Sequence, residues 1–213
     1  MKVIHVTDST IKGYHIFKVT PFPTIQMLVE KGEGNIYDPH AMVIKVPDLR
    51  NIPIELHDRV IKEAKCKTSK QTVRDTAGRT VGRVPANVCA LFHKLLQDGD
   101  VREITCLSVD KPMQSKTPSF CQSFKRNTKG YDRCGGGAVI PCKYYLTCFD
   151  ESAQRVFKLI SENISSFKGS EKVVMLDEKS FSCIFNQLYF VYFLVFLRNL
   201  FGKVMLKDCL IDC

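Results

Sequence analysis

This 213-residue chain lacks the residue patterns by which most enzymes and metal proteins announce themselves. No Gly-x-x-x-x-Gly-Lys-Ser/Thr run is present, which excludes a P-loop ATPase. No Gly-x-Ser-x-Gly elbow appears, so a hydrolase nucleophile of that kind is absent. There are ten cysteines, yet none forms Cys-x-x-Cys. His5, His15, His40, His57 and His93 are dispersed, and the acidic residues form no pair at catalytic spacing. We therefore expect no catalysis, no metal and no cofactor. Met1 to Val6 reads as a strand and offers no apolar core of a secretory signal. Reduced thiols and an intracellular location are the corresponding expectations, nuclear if the partner is DNA.

What is present is positive charge and enough apolar residues for a core. The formal net charge is +9, the pI about 9.0, and 45% of residues are hydrophobic. An anionic partner is one reading of that balance, and a solvated basic surface is the other. The excess is local. Residues 50–79 hold eight Lys/Arg against four Asp/Glu, and residues 108–137 hold six against two, so the charge concentrates in segments that read as insertions. Loops of this kind often carry phosphate-binding surfaces.

Apolar patterning predicts strands at residues 16–19, 25–29 and 41–46, joined as a meander. Ile52, Leu56, Val60 and Ala64 recur every four residues, which predicts a helix over 53–65 with Asn51 as its cap. Residues 79–84 return to strand, and Gly82 within it predicts a bulge or a close backbone approach. Val88, Leu91, Phe92, Leu95 and Leu96 have the spacing of a core-facing helix over 86–97, closed by Asp98 and Gly99, with His93 on its polar side. Residues 101–107 read as a strand and 108–134 as a polar loop. Val139 to Cys148 follows as the closing strand, edge-placed or bulged because of Pro141. Asp150 is positioned to cap a helix through Ile164 with Val156, Phe157, Ile160 and Ile164 on its apolar face. Cys89, Cys106 and Cys142 fall in apolar runs and read as core residues. The fold class expected is mainly β with short helices (α+β): a small OB-like or SH3-like barrel with a helical C-terminal extension. The domain spans 1–165, with basic insertions at about 50–77 and 108–134, followed by a linker at 166–180.

The most informative stretch is 34–47. Gly34, Asn35, Asp38 and Pro39 make a turn that runs into a strand and presents Tyr37 and Asp38 at its edge. A tyrosine face can stack a base, and a carboxylate can accept a hydrogen bond from a hydroxyl. A tight turn with a packed tyrosine is the plainer reading. In order around this turn stand Gly13-Tyr14-His15-Ile16-Phe17, then Val81-Gly82-Arg83-Val84-Pro85, a helix, a strand, and Gly135-Gly136-Gly137 before the last strand. That order resembles a HIRAN domain, the small barrel at the front of some Swi/Snf-type DNA-remodelling ATPases, over about residues 11–160.

The resemblance implies binding of single-stranded DNA at its free 3′-hydroxyl end. Tyr37 would stack the last base, Asp38 would accept from the 3′-hydroxyl, and Asn35 would hold the turn or donate to the base. Tyr14 and His15 would meet the terminal nucleotide. Lys125, Arg126 and Lys129 would supply phosphate contacts from the second insertion. A separate remodelling ATPase or helicase is an implied partner. The three glycines at 135–137 replace an aromatic of the family, which favours the alternative of a protein-interaction module on the same barrel. The tail, 181–213, begins with an almost unbroken apolar run to Leu197. Three readings of it stand: a C-terminal membrane anchor, a helix packed on the domain, or a stretch that is not part of the native protein.

Overall fold

A computed structural model describes residues 1–32, 39–61, 71–114, 137–166 and 171–177. Its elements in order are β1 (Lys2–Ile11), α1 (Tyr14–Phe17), β2 (Met27–Lys31), β3 (Met42–Lys45), β4 (Val60–Ile61) and β5 (Gln71–Thr72). Then come α2 (Val73–Thr76), β6 (Thr80–Arg83), α3 (Ala86–Gln97), β7 (Val101–Ser108) and β8 (Met113–Gln114). β9 (Ala138–Cys148), α4 (Asp150–Ser166) and β10 (Lys172–Asp177) complete the set. The chain divides into two units, Met1–Met175 and Leu176–Cys213, and the barrel belongs to the first.

One sheet runs in the order β10-β1-β9-β7-β2-β3-β6, with β8 beside β9. It closes on itself where β1 ends. Lys12 and Arg83 exchange both backbone hydrogen bonds, each 2.9 Å, so β6 returns to the start of the circuit. β1 can reach both neighbours because it is bulged between Val6 and Ser9, with Asp8 in the left-handed region at φ 58°. Gly82 is the second requirement for closure. A Cβ there would overlap the Lys12 carbonyl oxygen and the Ile11 side chain. The register between β3 and β6 also slips beside it, between Ile44 and Lys45. Both features expected of Gly82 are therefore present.

Ile4, Val6, Ile11, Met27, Met42, Ile44, Ile104, Ile140, Tyr144 and Leu146 fill the barrel. The alternation of two along each strand sends them to one side. α3 packs on β7, α4 packs on β1 and β9, and the two helices touch. Their buried faces are Val88, Cys89, Phe92 and Leu95, and Ala153, Val156, Ile160 and Ile164. Phe92 meets Tyr144 edge to face at 5.4 Å. The mainly β α+β barrel with a helical extension is thus the observed architecture, and Cys89, Cys106 and Cys142 are buried as expected.

Four local expectations are corrected. Residues 16–19 are not a strand: α1 occupies Tyr14–Phe17 between two left-handed residues, Gly13 (φ 83°) and Lys18 (φ 53°), and of the run only Val19 is buried. Over 53–61 the expected helix is replaced by a 3₁₀ turn at Ile54–Leu56 followed by β4, with another 3₁₀ turn just before it at Leu49–Asn51, and residues 62–65 lie outside the described residues. Its backbone is satisfied from outside, since Val73 N–H donates to Arg59 O and Arg74 N–H to His57 O. β9 is not an edge strand, for it pairs with both β1 and β7. Pro141 is tolerated there because its carbonyl, and hence its missing N–H, faces Val109 just beyond the end of β7. Finally, the interval 166–180 carries β10, where Val173 and Met175 pack against the core while Lys172 and Val174 face outward. Among the described residues no helix is long and apolar enough to cross a membrane, and the tail 181–213 lies outside them.

Candidate nucleic-acid interface

The closure of the barrel sets the geometry of one rim. β1 ends there at Ile11, which is in register with Ile140 near the start of β9. β6 ends there at Arg83, paired with Lys12 on one side and with Val43 of β3 on the other. The hairpin of β2 and β3 opens at the same level. Lys31 pairs with Met42, and Gly32 N–H donates to Ala41 O at 2.7 Å. β8 joins the start of β9 through Met113 with Val139 and Gln114 with Ala138. Three chain segments therefore leave the barrel from one rim: residues 12–18, the hairpin connection after Gly32, and the connection between Gln114 and Gly137.

These are the segments that carry the residues singled out in the sequence. Asn35, Tyr37 and Asp38 lie within 33–38, and Lys125, Arg126 and Lys129 within 115–136. Both stretches are outside the described residues, and only their bases are placed. Tyr14 and His15 are placed. Tyr14 packs against the core, and its hydroxyl shares a 3.0 Å hydrogen bond with Thr20 Oγ1. That bond anchors α1 to the chain that follows it. His15 is exposed, with its imidazole against Gly137. A Cβ at position 137 would overlap the ring, so the last of the three glycines makes room for His15. Gly135 and Gly136 lie outside the described residues.

Lys12, Lys18 and Arg83 are exposed at this rim and were not singled out from sequence. Among the described residues none of the three forms an ion pair. Elsewhere on the surface Lys45 is held by Glu30 at 2.9 Å, Arg74 by Asp58 at 3.2 Å, and Arg155 by Asp100. Cations grouped at a rim raise the local concentration of anions. Ile16, 61% exposed on the same turn of helix, adds an apolar contact beside them. The signal that would have found them is the neighbouring glycine: Arg83 follows Gly82, where two backbones approach closely, and Lys12 precedes Gly13, which has φ 83°.

The outward face of β1 and β9 carries a second polar group, which is buried. His5 stands opposite Tyr145 with ring centroids 4.1 Å apart, and its Nε2 has no hydrogen-bond partner among the described residues. Burial, and then the nearby Lys143 ammonium, push the His5 imidazole down to about 4. Burial likewise pushes the Tyr145 phenol up to about 12. Both are neutral near pH 7. Among the described residues no group of three or more His, Cys, Asp or Glu is arranged to hold a metal ion.

No family model matches the chain, and no curated protein matches it. Among solved structures it is similar to the crystal structure of the HIRAN domain of human HLTF. The TM-score is 0.43 at 9% sequence identity, over 76% of this chain and 92% of that one. A likeness this distant carries no residue's role across.

Proposed function

We propose that this protein is a HIRAN-like nucleic-acid-binding module that takes single-stranded DNA, and its free 3′-hydroxyl end, at the rim where the barrel closes, without catalysis of its own. The observation that carries the reading is convergence: the bases of the three segments chosen from sequence meet at one rim, beside exposed Lys12, Lys18 and Arg83. In this reading the three cations hold backbone phosphates, and Lys125, Arg126 and Lys129 extend that grip. Tyr37 stacks the terminal base, Asp38 accepts from the 3′-hydroxyl, and Asn35 supports the turn. Tyr14 positions α1, and His15 meets the last nucleotide. A nuclear location and a separate remodelling ATPase or helicase as partner belong to the same proposal.

The test is electrostatic. Lys12→Ala, Lys18→Ala and Arg83→Ala combined leave the backbone bridge intact, because it uses main-chain atoms. Binding of a short single strand should weaken regardless of sequence. The slope of log K against log salt should fall by up to about 2, at about 0.7 for each phosphate no longer neutralised. An unchanged slope would mean that this rim does not bear on DNA. The exposed Ile16 suits the second reading, a protein-interaction module. That reading gains if Ile16→Asp abolishes protein partner binding while no strand of DNA binds at all.

A further inference from the structure

We propose that Lys12 and Arg83 act as one clamp, gripping a single phosphodiester of the strand between them rather than two separate ones. The backbone dictates the pairing. Lys12 N–H donates to Arg83 O and Arg83 N–H to Lys12 O, each at 2.9 Å, so the two residues stand directly opposite in an antiparallel bridge. In a pair bonded both ways the Cα atoms lie about 5.5 Å apart, and both side chains leave the same face. Burial shows which face that is. The neighbours Ile11 and Val84 are 0% and 5% exposed, whereas Lys12 and Arg83 are exposed, so both cations point away from the core. Arg83 is also in register with Val43 on its other side, which holds its main chain from both flanks.

Like charges set directly opposite each other weaken a sheet. In the described registers of β9 with β1, β7 and β8, of β2 with β3 and β7, and of β3 with β6, no other pair does this. On the same sheet Lys45 is instead matched by Glu30 at 2.9 Å. The repulsion thus falls at the point where the barrel closes, and an anion that touches both cations offsets it. The guanidinium fork meets the two free oxygens of a phosphodiester, and the ammonium adds a compact point charge to the same group. Lys18, past the end of α1, is left to another phosphate. The inference names the group gripped at this rim, and it takes its ligand from the DNA reading.

The full chain is titrated with a short single strand in which one uncharged methylphosphonate linkage is moved stepwise from the 3′ end. With wild type, one position should weaken binding about tenfold or more, and the others far less. Lys12→Gln and Arg83→Gln keep the main-chain bonds, and each alone should erase that position dependence. The double variant should bind little worse than either single one, because the pair acts as a unit. A shared phosphate also limits the fall in salt slope for the triple variant to about 1.4, at about 0.7 for each of two phosphates. Two sensitive positions, one lost with each variant, or a flat profile, would overturn the clamp and leave the DNA reading standing. If no strand binds, the DNA reading falls, and inorganic diphosphate decides the clamp. The Arg83 Nε–H resonance should then shift with diphosphate in wild type and not in Lys12→Gln, and an unmoved resonance would overturn the proposal. Both single variants should melt no lower than wild type, since the repulsion is gone. A clear loss of stability would mean that the cations serve the fold, and would likewise overturn it.

Discussion

Replacing Gly82 by alanine should open the barrel. In an ordinary strand this change is favourable by about 0.5–1 kcal/mol, because glycine loses more backbone freedom on folding. Gly82 does not have a positive φ, so no conformational strain confuses the comparison. The new methyl would overlap the Lys12 carbonyl and the Ile11 side chain. Backbone cannot move aside as a flexible side chain can, and overpacking of this kind costs about 1–3 kcal/mol. Relief by separating β6 from β1 would sacrifice the two bridge hydrogen bonds, at about 0.5–1.5 kcal/mol each. The two routes are alternatives of similar cost, so the expected loss is about 1–3 kcal/mol against a domain's stability of about 5–15 kcal/mol. Urea unfolding should show a lower midpoint at an unchanged m-value. Arg83→Ala, which keeps the bridge, should change the midpoint little. A Gly82→Ala variant as stable as wild type, or more stable, would refute closure through Lys12 and Arg83.

Other outcomes follow from the same structure. The His5 imidazole is depressed to about 4 when folded and lies near 6.5 when unfolded. Its contribution is therefore present above pH 6.5 and is lost as pH falls toward 4, where the unfolded state binds the extra proton. His5→Gln should flatten that part of the pH–stability curve, and an unchanged curve would contradict the burial of His5. Gly137→Ala should displace His15 and weaken DNA binding. Unchanged binding would separate His15 from the interface. Tyr37→Ala should cost about 1–3 kcal/mol in strand affinity if a base stacks there, as fluorescence anisotropy would show. Neutralising Lys125, Arg126 and Lys129 together should flatten the salt dependence by about 0.7 for each phosphate these side chains hold. An unchanged slope would mean that the loop is a solvated linker.

The parts legible in sequence were those whose burial follows a clean period. α3 and α4 present their apolar residues at helical spacing, and β7 and β9 are long enough for their strand character to dominate. Gly82 was legible because a glycine inside a strand has few other reasons to be there. The failures share a cause, which is that short apolar runs do not fix their own geometry. Residues 16–19 have strand-like composition, yet a glycine before them and a left-handed Lys18 fold them into α1. The four-residue recurrence from Ile52 suggests a helix, but burial selects Ile52 and Ile61 and leaves Ile54 80% exposed. Pro141 has the look of an edge marker, and only the relative lengths of β7 and β9 show why it sits inside. Of the candidate site, the aromatic and acidic residues were visible as a motif. Lys12, Lys18 and Arg83 were not, because their grouping arises only when the barrel closes.

The central claim is recognition of a free 3′ end, and one comparison tests it most directly. The full chain is titrated against the same short single strand bearing either a 3′-hydroxyl or a 3′-phosphate. A carboxylate at Asp38 accepting from the hydroxyl would repel the added phosphate, so the hydroxyl strand should bind roughly tenfold tighter or more, about 1.4 kcal/mol. Asp38→Asn should remove the preference. Equal affinity for the two ends, or no binding of either, would contradict the account.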